Sequence, residues 1–204
     1  TLLGVDARRV SVVYNGVDLT RWVAEPSAHD AAVRERFGLG ESSYLLSVGA
    51  ADWRKNHVNA LAALARARRR TADSDLVLVW AARIDLETQL ELRRAARQLG
   101  VGAALRLVGY VSDEELGALY RGAVAQLFPS RAEGFGYPLV EAMASGCPVI
   151  TSDRSSLAEI AGDAGLQVDP ENPDAIADAI VALATSSAER RRQSTLGTAR
   201  AKRF

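Results

Sequence analysis

Two carboxylates and two glycines crowd one stretch of the sequence. The run Pro129-Ser130-Arg131-Ala132-Glu133-Gly134-Phe135-Gly136-Tyr137 carries Glu133, and Pro138 then opens a helical pattern that carries Glu141. Glycine lets a backbone approach a ligand closely. Proline at a helix start leaves neighbouring N–H groups pointing outward at the positive end of the helix dipole, and such backbone cradles a phosphate or a sugar hydroxyl. A carboxylate only accepts hydrogen bonds, whereas ribose and sugar rings offer paired hydroxyl donors. Either acid would repel a diphosphate, so each is expected to face a hydroxyl-bearing part of a ligand. The same spacing also fits a glycine-rich turn with one surface acid and one acid that compensates the helix dipole.

A second loop, Gly49-Ala50-Ala51-Asp52-Trp53-Arg54-Lys55-Asn56, sets two adjacent cations before a helix. Arg54 as a fork and Lys55 as a point charge could neutralise a diphosphate; a solvated basic turn has the same composition. A dinucleotide-binding first turn would read G-x-G-x-x-G. Only Gly49 is present, which argues against a dehydrogenase. The third loop, Gly109-Tyr110-Val111-Ser112, lacks a catalytic group and could meet a base with its backbone, or simply turn into a capped helix. His29 and His57 are the only histidines, and no His, Cys or carboxylate cluster has metal spacing, so no metal is expected. Cys147, before Pro148, reads as a small buried residue.

These loops need elements to hold them. Short apolar runs at Tyr44 to Val48, Leu76 to Trp80, Leu105 to Val108, Val124 to Phe128, Pro148 to Thr151 and Gly165 to Val168 read as strands. Helical patterns lie between them near 57–70, 86–99, 112–121, 137–145, 155–161 and 172–185. The apolar runs are continuous, so both sheet faces are buried. The alternation predicts an α/β fold, a parallel sheet with helices on both faces, whose ligands bind beyond the carboxyl ends of the strands. Residues 1–40 read as irregular except for a short strand at Val10 to Val13 and a turn at Asn15-Gly16; the basic tail from Arg190 to Arg203 fits an interface helix or a membrane-surface face, with a solvated helix face the more common outcome of such a pattern. Lys plus Arg and Asp plus Glu each number 25, a balance that gives no general pull towards nucleic acid or an acidic membrane. One cysteine among 204 residues fits a reducing compartment, and the expected location is cytoplasmic. The chain opens on Thr1 and stops at Phe204, and both ends are read as cuts.

The run from Glu133 to Val149, with seven residues between Glu133 and Glu141, closely resembles the signature of the family 4 glycosyltransferases. These enzymes have the GT-B fold, two Rossmann-like domains facing each other across a cleft. Leu107 to Leu116 resembles the family's base-binding turn, Val48-Gly49 with Arg54-Lys55-Asn56 its phosphate-binding loop, and Val13 to Asp18 its entry into the C-terminal domain. One departure stands out: many relatives carry Arg after the first-strand glycine, where this chain has Ala50.

The resemblance implies a donor-binding C-terminal domain over 1–204, with 1–40 the interdomain entry, 41–185 a Rossmann-like core and 186–204 a basic terminal segment; an N-terminal acceptor domain would lie outside the chain. It implies that Glu141 holds ribose hydroxyls, Glu133 faces the donor sugar, Lys55 binds the diphosphate with Arg54 as a second cation, the backbone of Gly134, Phe135 and Gly136 contacts sugar and phosphate, and the Tyr110–Val111 backbone reads the base. On that division, replacing Glu133 touches binding of the sugar-bearing donor and not of the free nucleotide. Expected partners are a nucleotide-sugar, favoured as GDP-mannose, and an acceptor glycan or lipid-linked sugar reached through the other domain. The expected activity is retaining hexosyl transfer in polysaccharide biosynthesis, with a peripheral membrane contact left open and the isolated half inactive. A non-catalytic nucleotide-sugar-binding module and a sugar-nucleotide epimerase on the same fold remain alternatives.

Overall fold

The computed structural model describes residues 4, 6–71 and 75–204. The elements are α1 (Asp30–Arg36), β1 (Tyr44–Val48), α2 (His57–Arg70), β2 (Val77–Ala81), α3 (Leu86–Gln98), β3 (Leu105–Gly109), α4 (Asp113–Gly122), β4 (Ala125–Phe128), α5 (Tyr137–Ala144), β5 (Val149–Ser152), α6 (Ser155–Ala161), β6 (Leu166–Val168), α7 (Pro173–Thr185) and α8 (Ser187–Ala201). The six strands form one parallel sheet in the order β3-β2-β1-β4-β5-β6. Each strand and helix read from the sequence between residues 44 and 185 lies within one residue of its expected bounds.

The strands form where apolar runs can be covered on both sides. β1, β2, β4 and β5 are buried almost throughout, while β3, at the sheet edge, is mostly half-buried. Parallel strands require right-handed crossovers. From β1 the chain therefore winds one way through β2 and β3 and, after returning to β4, the other way through β5 and β6, which places the helices on both faces. α2 packs against α3 and α7, and α5 against α4, α6 and α8. Alanines on the buried side of α2, among them Ala60, Ala63 and Ala67, allow close approach to α7. Helix starts follow side-chain chemistry: Ser112 and Glu115 form a reciprocal capping box on α4, and Asn172 accepts from Asp174 N and Ala175 N at α7.

Three expectations change. The Val10–Val13 segment is not a strand: its valines are exposed and it pairs with no strand. β-branched residues alone do not make a strand where no sheet edge is offered. Residues 30–36, expected to be irregular, form α1, whose Asp30 pairs with Arg121 of α4 at 2.6 Å. The start of that expected 1–40 segment, residues 1–3 and 5, lies outside the described residues. The basic tail is a docked helix and not merely a solvated face. Gly197 lies against Met143 of α5, Gln193 and Ala201 are buried, and Arg200 donates to the carbonyls of Glu159 and Ile160. Phe204 then sets its ring edge-on to Tyr14 and to Phe135, at centroid distances of 5.2 and 5.8 Å.

A built Cβ at Gly197 would already sit 3.4 Å from Met143 Cγ. Gly197→Leu is therefore expected to overpack this contact and lower stability by about 1–3 kcal/mol. Arg191→Ala, on the exposed side of the same helix, should change it by less than about 0.5 kcal/mol. Urea unfolding of both variants measures the difference.

Candidate functional site

The strand order reverses between β1 and β4, and in an open parallel sheet the crevice beyond that switch point is where ligands bind. The loop after β1 carries Lys55 and the loop after β4 carries Glu133, so the topology brings together two residues 78 positions apart in the chain. Lys55 Nζ donates to Glu133 Oε1 at 2.7 Å, and the two side chains are only 12% and 14% exposed. The ammonium also lies 4.4 Å from the centroid of the Phe128 ring, whose face attracts a cation.

The path of Lys55 depends on Gly49. A Cβ there would lie 3.2 Å from Lys55 Cε and 3.3 Å from Nζ, and its φ of +104° strains any side-chain-bearing residue. Trp80 Nε1 donates to Gly49 O at 2.9 Å and fixes that turn. Asn56 follows in the left-handed conformation, φ 57° and ψ 41°, one that asparagine tolerates better than most residues. Its buried amide donates to Pro129 O at 3.1 Å and to Pro170 O at 2.6 Å, pinning the β1 loop to the β4 loop and to the turn after β6. Arg131 adds a second stitch: its backbone N–H donates to Arg54 O, and its guanidinium to Trp53 O and Glu171.

The glycine loop is held from the other side. Ser155 Oγ accepts from Glu133 N at 3.3 Å, and Ser156 Oγ lies 2.9 Å from Glu133 O and 3.1 Å from Phe135 O. Gly136, at φ 99° and ψ 52°, turns the chain into α5, and a Cβ there would lie 2.6 Å from Leu157 Cδ2. Gly134 faces open space, so its backbone is free to receive a ligand.

Glu141 stands on α5 beside Tyr120 of α4, whose hydroxyl lies 3.3 Å from Glu141 Oε2 and 3.2 Å from Pro138 O. Burial raises the Glu141 pKa to about 7, with the Tyr120 hydrogen bond opposing the rise and Asp113 adding to it. Burial also pushes the Tyr120 phenol well above its usual range, so it remains a donor. Tyr110 is exposed at the end of β3 with the Arg83 guanidinium over its ring at 5.2 Å, and Val111 beside it is buried.

The structure thus joins Lys55 with Glu133 and sets Glu141 against Tyr120. It turns the Arg54 guanidinium onto Asp52, with Nη2 2.7 Å from Oδ2, and this exposed pair occupies the second cation. Tyr120, Asn56, Arg131 and Ser156 support the site, and the sequence reading gave none of them a role. An asparagine immediately before a helix was a visible signal for Asn56. Tyr120, on the buried side of α4, had none. His57 packs its ring against Trp80, and burial lowers its pKa. Cys147 is buried, its thiol pushed up to about 12. Among the described residues no group of three His, Cys, Asp or Glu side chains gathers as a metal site.

The raised Glu141 pKa makes stability depend on pH. The folded protein holds the proton at pH values where the unfolded chain has lost it, so this contribution is complete below the ordinary carboxylate range and is lost as pH rises through about 7. Between about pH 5 and pH 8 the melting temperature should fall in the parent chain relative to Glu141→Gln, which has no proton to lose. Parallel melting curves for the two proteins overturn the burial argument.

The sequence profile of the family described as "Glycosyl transferases group 1" matches residues 22–200. The O-antigen chain mannosyltransferase B of Escherichia coli is 44% identical over 100 residues, 49% of this chain and 26% of that protein. The glycogen synthase of Mycobacterium tuberculosis is 35% identical over 182 residues, 88% of this chain and 41% of that protein. The chain therefore aligns with less than half the length of either relative. Among solved structures, HepE of Anabaena, in complex with UDP and glucose, superposes with a TM-score of 0.85 at 19% identity, covering 99% of this chain and 55% of HepE, a likeness of fold. The profile match takes in the loops after β1, β3, β4 and β5 that build the site, and the chain belongs to the glycosyl transferases group 1 family.

Proposed function

We propose that this chain is the donor-binding, C-terminal half of a retaining hexosyltransferase and holds a nucleoside-diphosphate sugar at the β1/β4 switch point. The observation that carries this reading is the Lys55–Glu133 pair, a mostly buried cation and carboxylate meeting where the strand order reverses. Lys55 is the diphosphate ligand, and Arg54 joins it by rotating off Asp52. The backbone of Gly134, Phe135 and Gly136 lies along the phosphate and sugar. Glu141, oriented by Tyr120, takes the ribose hydroxyls, and the Tyr110–Val111 backbone meets the base. GDP-mannose is the favoured donor, supported by the Arg54-Lys55-Asn56 run and the mannosyltransferase relative; the glycogen synthase relative makes glucose donors the competitors to test.

The chemistry follows from charge. The bond from the anomeric carbon to the terminal phosphate oxygen breaks, its electron pair leaving with the nucleoside diphosphate, and the sugar becomes oxocarbenium-like. Lys55, Arg54 and the loop N–H groups stabilise the departing charge and so lower the barrier. The acceptor oxygen takes the vacated position, and its proton passes to the departing diphosphate. Acceptor binding belongs to a second domain, where a glycan or lipid-linked sugar is the expected partner. Without that wall the two reactants are not positioned against each other, which forfeits up to about 7–11 kcal/mol of rate enhancement. A peripheral membrane contact stays an expectation for the joined protein; among the described residues no helix is long and apolar enough to cross a bilayer.

The test is calorimetry with GDP, UDP and ADP and their sugars. One of these families should bind residues 1–204. Lys55→Met, which keeps the stem over Phe128 and removes the charge, should weaken diphosphate binding by about 1.5–3 kcal/mol while leaving the nucleoside alone. A variant that loses nucleoside and diphosphate equally would show Lys55 to be a folding residue. Sugar transfer to an acceptor should be absent for residues 1–204 and present once the acceptor domain is joined; epimerised donor, or binding without transfer by the joined protein, would overturn the transferase reading.

A further inference from the structure

Glu133 is 14% exposed, and among the described residues it is the one carboxylate at ion-pair distance from Lys55. Its backbone is tied on both sides of the peptide, through Ser155 at the nitrogen and Ser156 at the carbonyl. The Glu133 backbone is therefore fixed, and its carboxylate stays within one side chain's reach of that anchor if the ammonium turns to another anion. Glu133 occupies the position beside Lys55 that an incoming phosphate would take.

We infer that Glu133 discriminates between the sugar-bearing donor and the free nucleoside diphosphate that transfer leaves behind, by competing with the diphosphate for Lys55. This rests on the reading of Lys55 as the diphosphate ligand. When a diphosphate takes Lys55, Glu133 loses its cation while remaining mostly enclosed, a state that is costly unless hydrogen-bond donors replace it. A sugar attached to the terminal phosphate brings adjacent hydroxyl donors to the carboxylate. A free nucleoside diphosphate brings none. It also exposes a terminal phosphate with more negative charge beside an unpaired carboxylate, an arrangement that selects by repulsion. The same residue thus admits the donor, weakens the product and speeds its release. On this inference replacing Glu133 alters free nucleotide binding, where the division of roles implied by the resemblance leaves it almost unchanged.

The experiment measures guanosine, GDP and GDP-mannose binding to residues 1–204 by calorimetry, for the parent chain, Glu133→Gln, Glu133→Asp and Lys55→Met; uridine, UDP and UDP-glucose replace them if the uracil series is the one that binds. Glu133→Gln keeps the side-chain shape and removes the charge. It should tighten GDP by about tenfold, the loss of one charge-assisted competitor, leave guanosine unchanged and not tighten GDP-mannose, so that the preference for donor over product collapses. Glu133→Asp draws the carboxylate back by one methylene and should tighten GDP by a smaller factor, which keeps the proposal testable if Glu133→Gln does not fold. GDP affinity that is unchanged or weaker in the folded Glu133 variants overturns the inference. Undiminished GDP binding in Lys55→Met overturns the diphosphate assignment of Lys55 instead, so the two failures are distinguishable.

Discussion

A mostly buried ion pair lies across the point where the sheet reverses, and the surrounding structure is arranged around it. Lys55 and Glu133 meet at 2.7 Å with little water on either. Two charges taken out of water are costly unless geometry and further contacts compensate. Here part of the compensation is visible in the Phe128 ring presented to the ammonium, while Ser155 and Ser156 fix the backbone from which the carboxylate extends. The pair exists because strand order brings the loops after β1 and β4 side by side. A buried core then keeps that order fixed.

The backbone around the pair is stitched in a way that explains its residue types. Gly49 is required twice over, by its positive φ and by the passage of Lys55 above it. Asn56 is required because its position is left-handed and its amide must reach two carbonyls on other loops. Replacing Asn56 by alanine would strand Pro129 O, leave Pro170 O with Asn59 as its donor, and strain the turn. Arg131 holds Trp53 O from the β4 side. These contacts make three loops one rigid unit, the condition for placing charged groups within reach of a ligand before it arrives.

Much of this was legible in the sequence. Continuous apolar runs bounded by glycine, proline and caps placed the six strands, because burial on both faces leaves a plain signature. The two loops with chemistry were legible from glycine, proline and charge. Other features were not. Val10 to Val13 has the composition of a strand, yet strand formation depends on an available edge, which no local pattern reveals. α8 looked like a charged surface because the residues it buries are Gln193, Gly197 and Ala201, which form no apolar stripe. The pairing of Lys55 with Glu133 joins positions 78 apart, and only the folded topology shows that each is the other's partner. Tyr120 escaped for a similar reason: on α4 it is one more buried aromatic until α5 brings Glu141 to its hydroxyl.

The two glutamates of the signature show how one residue type serves two ends of a ligand. Glu133 faces a cation, and Glu141 faces a phenol in an enclosed place where burial raises its pKa to about 7. Each environment sets a condition on what can bind. At Glu133 a ligand must take over the ammonium and return hydrogen-bond donors to the carboxylate. At Glu141 hydrogen-bond donors from a ligand would favour the ionised carboxylate that burial disfavours, and paired ribose hydroxyls are such donors. A ligand that meets both conditions is anionic in the middle and hydroxylated at both ends. That pattern is the chemical outline of a nucleoside-diphosphate sugar. On the proposed reading, a free phosphate or a simple sugar meets only one of the two conditions, and the separation of the two carboxylates along the loop and helix is what selects the ligand that meets both.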